Sequence, residues 1–442
     1  MREKILSFFK INERNSSISI ELIAGFTTFM TMAYVLVTQP GAIIGFGATE
    51  FTDINGVVIS AQAIMVITAL ISGLITLLMA FYTNLPFALS AGMGTNFMLG
   101  TLLQEGKLSF AQMMTIILVS GLIFLAMSIF GIRDLVVRMI PKNIKFAISA
   151  VIGFFIAQLG FKNSGIVDFS SGLNAGNFKD PAVLLAVFGL LVIAILTAYK
   201  VKGALLVGIV VTTLVGIPMG ITEIPKQIVA LPNFGEVKEL LFQFDFSGIW
   251  TKQFFVLMFI AFFSDFFCTL GTVLGVAGKA GMLDEKGNFP EIQKPFLVDA
   301  IGSVAGAFVG STTVTTYVES TAGVEAGGRT GLTALTTGLI FLGTVFIAPL
   351  CAIIPSAATA PALIFVGFMM IQGMENIDYS DFTEAFGPFL MILFGAFAGS
   401  IADGIAAGIL AHAVIKVFTG KAKDLHPGIY VLCIPLAIYF IV

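Results

Sequence analysis

Two carboxylates stand in sequence that is otherwise apolar enough for the interior of a bilayer. Asp265 lies in Phe262-Phe263-Ser264-Asp265-Phe266-Phe267-Cys268-Thr269, inside a run from Phe254 to Val276 that has no other charge. Glu319 closes the polar, β-branched stretch Ser311-Thr312-Thr313-Val314-Thr315-Thr316-Tyr317-Val318-Glu319-Ser320. A carboxylate at membrane depth costs about 2.5–3.5 kcal/mol on insertion scales. Two of them point to a ligand that crosses the membrane and needs hydrogen-bond acceptors, a proton carrier, or both. The plainer alternative is a structural carboxylate satisfied by backbone N–H groups or hydroxyls. Asn96 adds a donor and an acceptor on one planar group, which suits a planar heterocycle, although an asparagine in a broken segment equally caps a helix.

Other polar residues read as structural. Asp299 and Asp403 fall at span edges or between packed spans, where they cap helices, and His412 reads as a packing residue with its hydrogen bonds satisfied. Glu325 and Arg329 fall at a membrane surface, with Arg329 serving topology. Cys268, Cys351 and Cys433 all lie in apolar sequence and show neither a disulfide framework nor metal spacing. His412 and His426 give no support for zinc. The Gly-rich stretches lack the Gly-Lys-Ser/Thr ending that cradles phosphates. No metal, cofactor, ATP-driven step or enzyme activity is expected.

The elements that must position these groups are membrane helices. The chain of 442 residues is 57% hydrophobic and 11% charged, with mean hydropathy +1.01, where soluble domains carry about 25% charged residues. At ~20 residues per span there is room for a dozen or more helices, and the long unbroken apolar runs exclude the alternation of a membrane β-barrel. Arg2, Lys4, Lys10 and Arg14 mark a cytoplasmic start, and no cleavable signal is evident. Spans are expected at 20–37 (ending before Pro40), 57–81, 111–130, 146–159, 181–199, 204–221, 254–276, 296–309, 330–350, 360–371, 388–401 and 402–418. The closing run 429–442 is short for a crossing. An amphipathic helix is expected near Val237–Gln243, in the external segment 222–252. Arg133, Arg138, Lys142, Lys145, Lys200, Lys202, Lys279, Lys286 and Lys294 mark inner loops.

Two further segments, Leu85–Asn96 and Ser311–Gly328, are broken by Pro, Gly or β-branched residues. They predict extended backbone joined to half-helices, which survives at membrane depth only when buried in protein or lining a cavity. Tight helix packing through small residues is the alternative. Their matching places, with Gly208-Ile209 and Gly408-Ile409 in the two closing pairs, predict an inverted repeat.

These stretches resemble the AzgA-like purine permeases, a branch of the nucleobase–cation symporter superfamily with the uracil and xanthine permeases. The resemblance covers nearly the whole chain. It is carried by Glu21–Tyr34, Gly92-Met93-Gly94-Thr95-Asn96, the surroundings of Asp265, and Thr312–Ser320 continuing through Gly323-Val324 and Gly327-Gly328-Arg329-Thr330-Gly331-Leu332-Thr333-Ala334. It implies an all-α polytopic membrane protein of about 14 spans in two inverted repeats of about seven, with the third and tenth spans broken. A cytoplasmic N-terminus (1–17) would precede a core domain (18–131 and 253–350) and a gate domain (132–252 and 351–442). It further implies a proton-coupled symporter importing purine bases such as hypoxanthine, guanine or adenine across the cell membrane by alternating access, as a homodimer. Asp265, Glu319, Asn96, Thr95, Thr316 and Cys268 would contact the base, and Asp265 and Glu319 would couple protons. The family usually carries a second aspartate at the place of Cys268, and Ala-Pro at that of Ser90-Ala91. An anion carrier on the same architecture, or a carrier of xanthine or uracil, is the alternative. A channel would want a continuous polar ring and a receptor a soluble domain, and neither is visible.

Overall fold

The computed structural model describes residues 2–131, 140–169, 173–224, 229–283, 289–398 and 400–441. Arg133, Arg138, Lys286 and the side chain of Cys351 lie outside the described residues. The chain forms α1 (Arg2–Phe8), α2 (Ile18–Met32), α3 (Val35–Ile44), α4 (Ala61–Thr83), α5 (Met93–Gln104), α6 (Phe110–Phe130), α7 (Lys142–Ser164), α8 (Pro181–Ala198) and α9 (Ala204–Gly216). It continues with α10 (Phe234–Glu239), α11 (Lys252–Lys279), α12 (Gln293–Val309), α13 (Ser320–Glu325), α14 (Gly331–Gly343), α15 (Ser356–Ile371), α16 (Phe382–Ala398), α17 (Ile401–Phe418) and α18 (Pro427–Ile441). The strands are short pairs: β1 (Glu50–Thr52) with β2 (Val58–Ser60), β3 (Leu89–Ala91) with β6 (Val314–Thr316), and β4 (Val167–Asp168) with β5 (Asn174–Ala175).

Polar caps set where the apolar helices begin. Ser17, Ser60, Asp180, Thr251, Thr330 and Ser400 each accept a first-turn backbone N–H, and Ser109 with Gln112 forms a reciprocal capping box at α6. Among the described residues, eight helical stretches are long and apolar enough to cross a membrane.

Several boundaries differ from the sequence expectation. The first span runs past Pro40 to Ile44 and breaks instead at Ala33–Tyr34, between α2 and α3. Pro40 sits inside α3, where its missing N–H forfeits one bond, to the Leu36 carbonyl, and does not end the helix. The amphipathic helix is Phe234–Glu239, displaced towards the N-terminus because Asn233 caps it. The eleventh span leaves α-helical geometry after Gly343 for a 3-10 stretch, Thr344–Ile353, kinked at Ile347. The closing run is a 15-residue helix, α18.

The two broken segments meet. β3 and β6 pair antiparallel in the register Leu89↔Thr316, Ser90↔Thr315 and Ala91↔Val314, extended by Gly92 N donating to Thr313 O (2.7 Å) and Tyr317 N to Ala88 O (3.0 Å). Backbone groups that have no helix to join are thus satisfied inside the protein. Only glycine fits at position 92, since a Cβ there would lie 2.5 Å from Thr313 Oγ1. The closing pairs pack alike: a Cβ on Gly208 would strike Ile193 of α8 (2.2 Å), and one on Gly408 would strike Met391 of α16 (2.4 Å).

The N-terminal segment marks one end of the molecule. Arg14 donates to the carbonyls of Asn84 (2.7 Å) and Arg329 (2.8 Å), after α4 and before α14. At the other end, Asp53 in the β1–β2 hairpin accepts from Phe110 N (2.8 Å) at the start of α6. α6 therefore returns to the N-terminal end, where α7 begins.

Candidate functional site

A cavity of about 330 Å³ lies beside the β3–β6 crossing. Tyr34, Met93, Gly94, Thr315, Thr316 and Glu319 line one wall, and Ile148, Ile152, Val366 and Met370 of α7 and α15 line the opposite one. Lys145, in the first turn of α7, and Asn376, just past α15, place its lining towards the N-terminal end. α11 contributes Ser264, Phe267, Cys268 and Gly271, the i, i+3, i+4, i+7 face of a helix. Its orientation is fixed from behind, where Phe262 and Phe266 pack edge-on against Phe124 of α6 and Phe266 against Phe296 of α12.

Glu319 is the carboxylate in the lining. It sits where β6 ends and α13 begins, and its Oε1 accepts from the Tyr34 hydroxyl at 2.7 Å. Tyr34 comes from the break between α2 and α3, so that break aims a phenol at the tenth span. Thr316 and Cys268 also line the cavity. Asp265 lies outside the lining, 4% exposed. Its Oδ2 accepts from Ser303 Oγ (2.8 Å), while Oδ1 has no hydrogen-bond partner among the described residues. Thr95 and Asn96 are buried one layer deeper on α5 than Met93 and Gly94. Asn96 donates to Gln39 Oε1 (2.6 Å), and its own Oδ1 has no hydrogen-bond partner among the described residues.

Asp299 is not a span-edge cap. It lies nearly two turns into α12, fully buried. It accepts a hydrogen bond from Thr269 and faces the hydroxyls of Thr315 (3.5 Å) and Thr316 (3.4 Å). The carboxylate thus ties α11 and α12 to the strand that carries Thr316. Ser303, one turn on, bridges Asp265 and Val314 N (3.1 Å). His412 also departs from expectation. It is fully buried against Gly387 of α16, and neither ring nitrogen has a hydrogen-bond partner among the described residues. Asp403 sits in the first turn of α17 as expected.

Glu21, unremarked by sequence reasoning as a functional group, is fully buried. It accepts from Arg329 N (3.0 Å), Thr330 N (3.2 Å) and Thr333 Oγ1 (2.5 Å). It therefore holds the turn that leads into α14, whose own cap is Thr330, and serves the fold. Among the described residues, no group of three or more His, Cys, Asp or Glu is arranged to hold a metal. The cavity can instead clasp a small, flat, largely apolar molecule, with a carboxylate and hydroxyls on one wall and aliphatic side chains on the other.

Comparisons with known proteins agree with this architecture. The transmembrane domain of a cyanobacterial bicarbonate transporter, BicA, superposes with a TM-score of 0.62 at 15% identity, covering 88% of this chain and 97% of that one. The inward-facing murine Solute Carrier 26 family member A9 anion transporter superposes at 0.65 and 13% identity, covering 91% and 69%. These likenesses establish an inverted-repeat membrane fold and nothing of substrate. In sequence, the chain is 36% identical to a putative permease of Methanocaldococcus jannaschii over 98% of this chain and 97% of that one. It is 35% identical to the adenine permease AdeP of Escherichia coli K12 (96% and 93%). It is 34% identical to the guanine/hypoxanthine permease PbuG of Bacillus subtilis 168 (98% and 99%). The Xan_ur_permease model, described as the permease family, matches residues 19–437, and the chain belongs to that family of multi-pass membrane permeases.

Proposed function

We infer that this permease carries purine bases across the cell membrane, with a neutral base held in the cavity against Glu319. One observation carries the reading: a carboxylate braced by Tyr34 at 2.7 Å faces a cavity of about 330 Å³ formed where the two broken spans cross. A carboxylate that only accepts suits the N–H edges of a neutral purine. It opposes an anion, so the anion-carrier reading drawn from fold likeness has no support in the site chemistry. The relatives named adenine and guanine/hypoxanthine permeases favour those three bases over xanthine or uracil.

In this reading Glu319, Thr316 and Cys268 touch the base, and Asp265, Thr95 and Asn96 act from the layer behind. Asp265 and Glu319 carry the coupled proton, because each is a carboxylate in low-dielectric surroundings whose neutralisation accompanies movement. The crossing and its helices (18–131 and 253–350) move as a core against a gate (132–252 and 351–442), the cavity lying at their boundary. With the N-terminus in the cytoplasm, the cavity faces inward. Two copies associate through the gate. Uptake of labelled hypoxanthine or adenine, blocked by a protonophore and absent in Glu319→Ala at normal membrane abundance, is the expected result. Undiminished uptake by Glu319→Ala overturns the site.

A further inference from the structure

We propose that Lys145 reads the base in this cavity and makes the site select 6-oxopurines, hypoxanthine and guanine, over 6-aminopurines such as adenine. The proposal rests on the purine reading above, with a base held against Glu319. Lys145 and Glu319 are the two charged residues of the cavity lining. They reach it from different elements, Glu319 from the junction of β6 and α13 and Lys145 from the first turn of α7. Lys145, Ile148, Ser149 and Ile152 line the cavity together, and they form the i, i+3, i+4, i+7 face of that helix. The Lys145 ammonium stands 5.9 Å from the centroid of the Phe267 ring, within cation–π range. Phe267 is itself part of the lining, next to Cys268 on α11. The ring thus holds the cation at a wall of the cavity. Other donors of the lining are directed elsewhere: Tyr34 to Glu319 (2.7 Å), Ser149 to the Met370 carbonyl (3.3 Å) and Tyr317 to the Ala91 carbonyl.

The two charges divide a purine between them. A carboxylate takes N–H groups, and an ammonium, with donors and no acceptor, takes a ligand's acceptors. In the N9–H form of a 6-oxopurine, the carbonyl oxygen and N7 lie side by side as two acceptors, and N1–H flanks the carbonyl on its other side. This acceptor pair is the one a lysine reads on guanine in the major groove of DNA. A 6-aminopurine keeps N7 but sets an NH2 donor in place of the carbonyl. Against Lys145 that is donor on donor, and its N1, now an acceptor, has nothing to give Glu319. Polar groups left unpaired in this way are what reject an analogue strongly. The two lining charges also cancel, which suits a neutral base rather than an ion.

The test uses the full chain in cells without purine carriers of their own, with membrane abundance followed by immunoblot. Half-saturation constants are measured for labelled hypoxanthine and adenine, and an inhibition constant for 7-deazahypoxanthine, which lacks the N7 acceptor. The unaltered protein is expected to take hypoxanthine at least about tenfold more tightly than either of the others. In Lys145→Met, hypoxanthine loses its advantage over the 7-deaza analogue, and its advantage over adenine shrinks at least about fivefold. Lys145→Arg, which offers donors to the same acceptor pair, keeps both advantages. A lysine that only packed on Phe267 would weaken all three ligands alike and leave their ratios unchanged. Equal recognition of hypoxanthine and adenine by the unaltered protein, or unchanged ratios in Lys145→Met, overturns the role of Lys145 and leaves the purine reading standing. If Lys145→Met fails to reach the membrane, the 7-deaza comparison on the unaltered protein decides, and parity there overturns the proposal. Recognition of neither base by protein present in the membrane overturns the purine reading itself, and this role with it.

Discussion

At the scale of single residues, the site is built from pairs that lie far apart in sequence. Tyr34 and Glu319 are 285 positions apart, and their bond is what turns a buried carboxylate into an aimed one. A hydrogen bond to a charged group contributes about 1.5–3 kcal/mol. Tyr34→Phe should therefore raise the half-saturation constant for a purine at least about tenfold while leaving abundance unchanged, as read by uptake in cells and by immunoblot. Asp299→Ala should cost more, since it strands the hydroxyls of Thr269, Thr315 and Thr316 together. Its expected signature is lost uptake together with a lowered thermal midpoint, whereas Tyr34→Phe should leave that midpoint within a degree or two. The types of the two lining and near-lining carboxylates were legible from sequence, because a charge in an apolar run is conspicuous. Their partners were not. Tyr34 read as an ordinary member of a first span, Gln39 fell just past its expected end at Val37, and Asp299 read as an edge residue because its local sequence starts with Gln293-Lys294-Pro295. Only the third dimension turns it towards β6.

At the scale of elements, the broken spans were legible for a physical reason: Gly, Pro and consecutive β-branched residues deny a continuous helix. What could not be read was that they would pair with each other across more than two hundred residues. Gly92 is the point of closest approach. Gly92→Val should prevent the β3–β6 register from closing and yield a protein that is degraded or inactive, checked by immunoblot and detergent thermal shift. Glu21 anchors the turn before α14, and Glu21→Ala leaves two backbone N–H groups and a hydroxyl without their acceptor. A loss of about 1–3 kcal/mol is expected. The pair Asp381–Lys421, just before α16 and just after α17, responds to acid. Lys421 Nζ approaches Asp381 Oδ2 at 2.6 Å, and that bond, with those from Thr383, holds the Asp381 carboxyl well below the usual carboxylate range. A depressed value in the folded state stabilises the fold above the unfolded value of about 3.9, and this contribution fades as pH falls further. The gap in thermal midpoint between the unaltered protein and Lys421→Met should therefore narrow below about pH 4. The effect is small because both side chains are part-exposed.

At the scale of the whole molecule, two cavities lie towards opposite ends of α15. One holds Glu319 and is lined towards the N-terminal end. The other is lined by Phe46, Thr49, Gln62, Glu223, Pro355 and their neighbours beyond the far ends of α3 and α15. α7 and α15 are joined closely where they cross, since a Cβ on Gly367 would lie 2.5 Å from the Gly153 carbonyl. Such a crossing moves as a unit more readily than it comes apart. If the halves rock about the site, Cys268, which lines the cavity, should react with a membrane-impermeant thiol reagent applied from the N-terminal face, and bound base should slow that reaction. Labelling from the opposite face alone would contradict the proposed orientation. The repeat was legible in sequence mainly as matching broken segments and matching Gly-Ile pairs. Which helix faces meet was not, because nothing local distinguishes a lipid-facing phenylalanine from one that packs on a neighbouring helix. The most direct measurement is uptake of radiolabelled hypoxanthine by cells lacking their own purine carriers, challenged with unlabelled adenine, guanine, xanthine, uracil and sulfate, with and without a protonophore. Uptake that purines and the protonophore abolish and sulfate leaves untouched is the predicted result. Uptake competed by sulfate, or no uptake of any purine by protein present in the membrane, would contradict a carrier in which Glu319 receives the N–H edge of a neutral base.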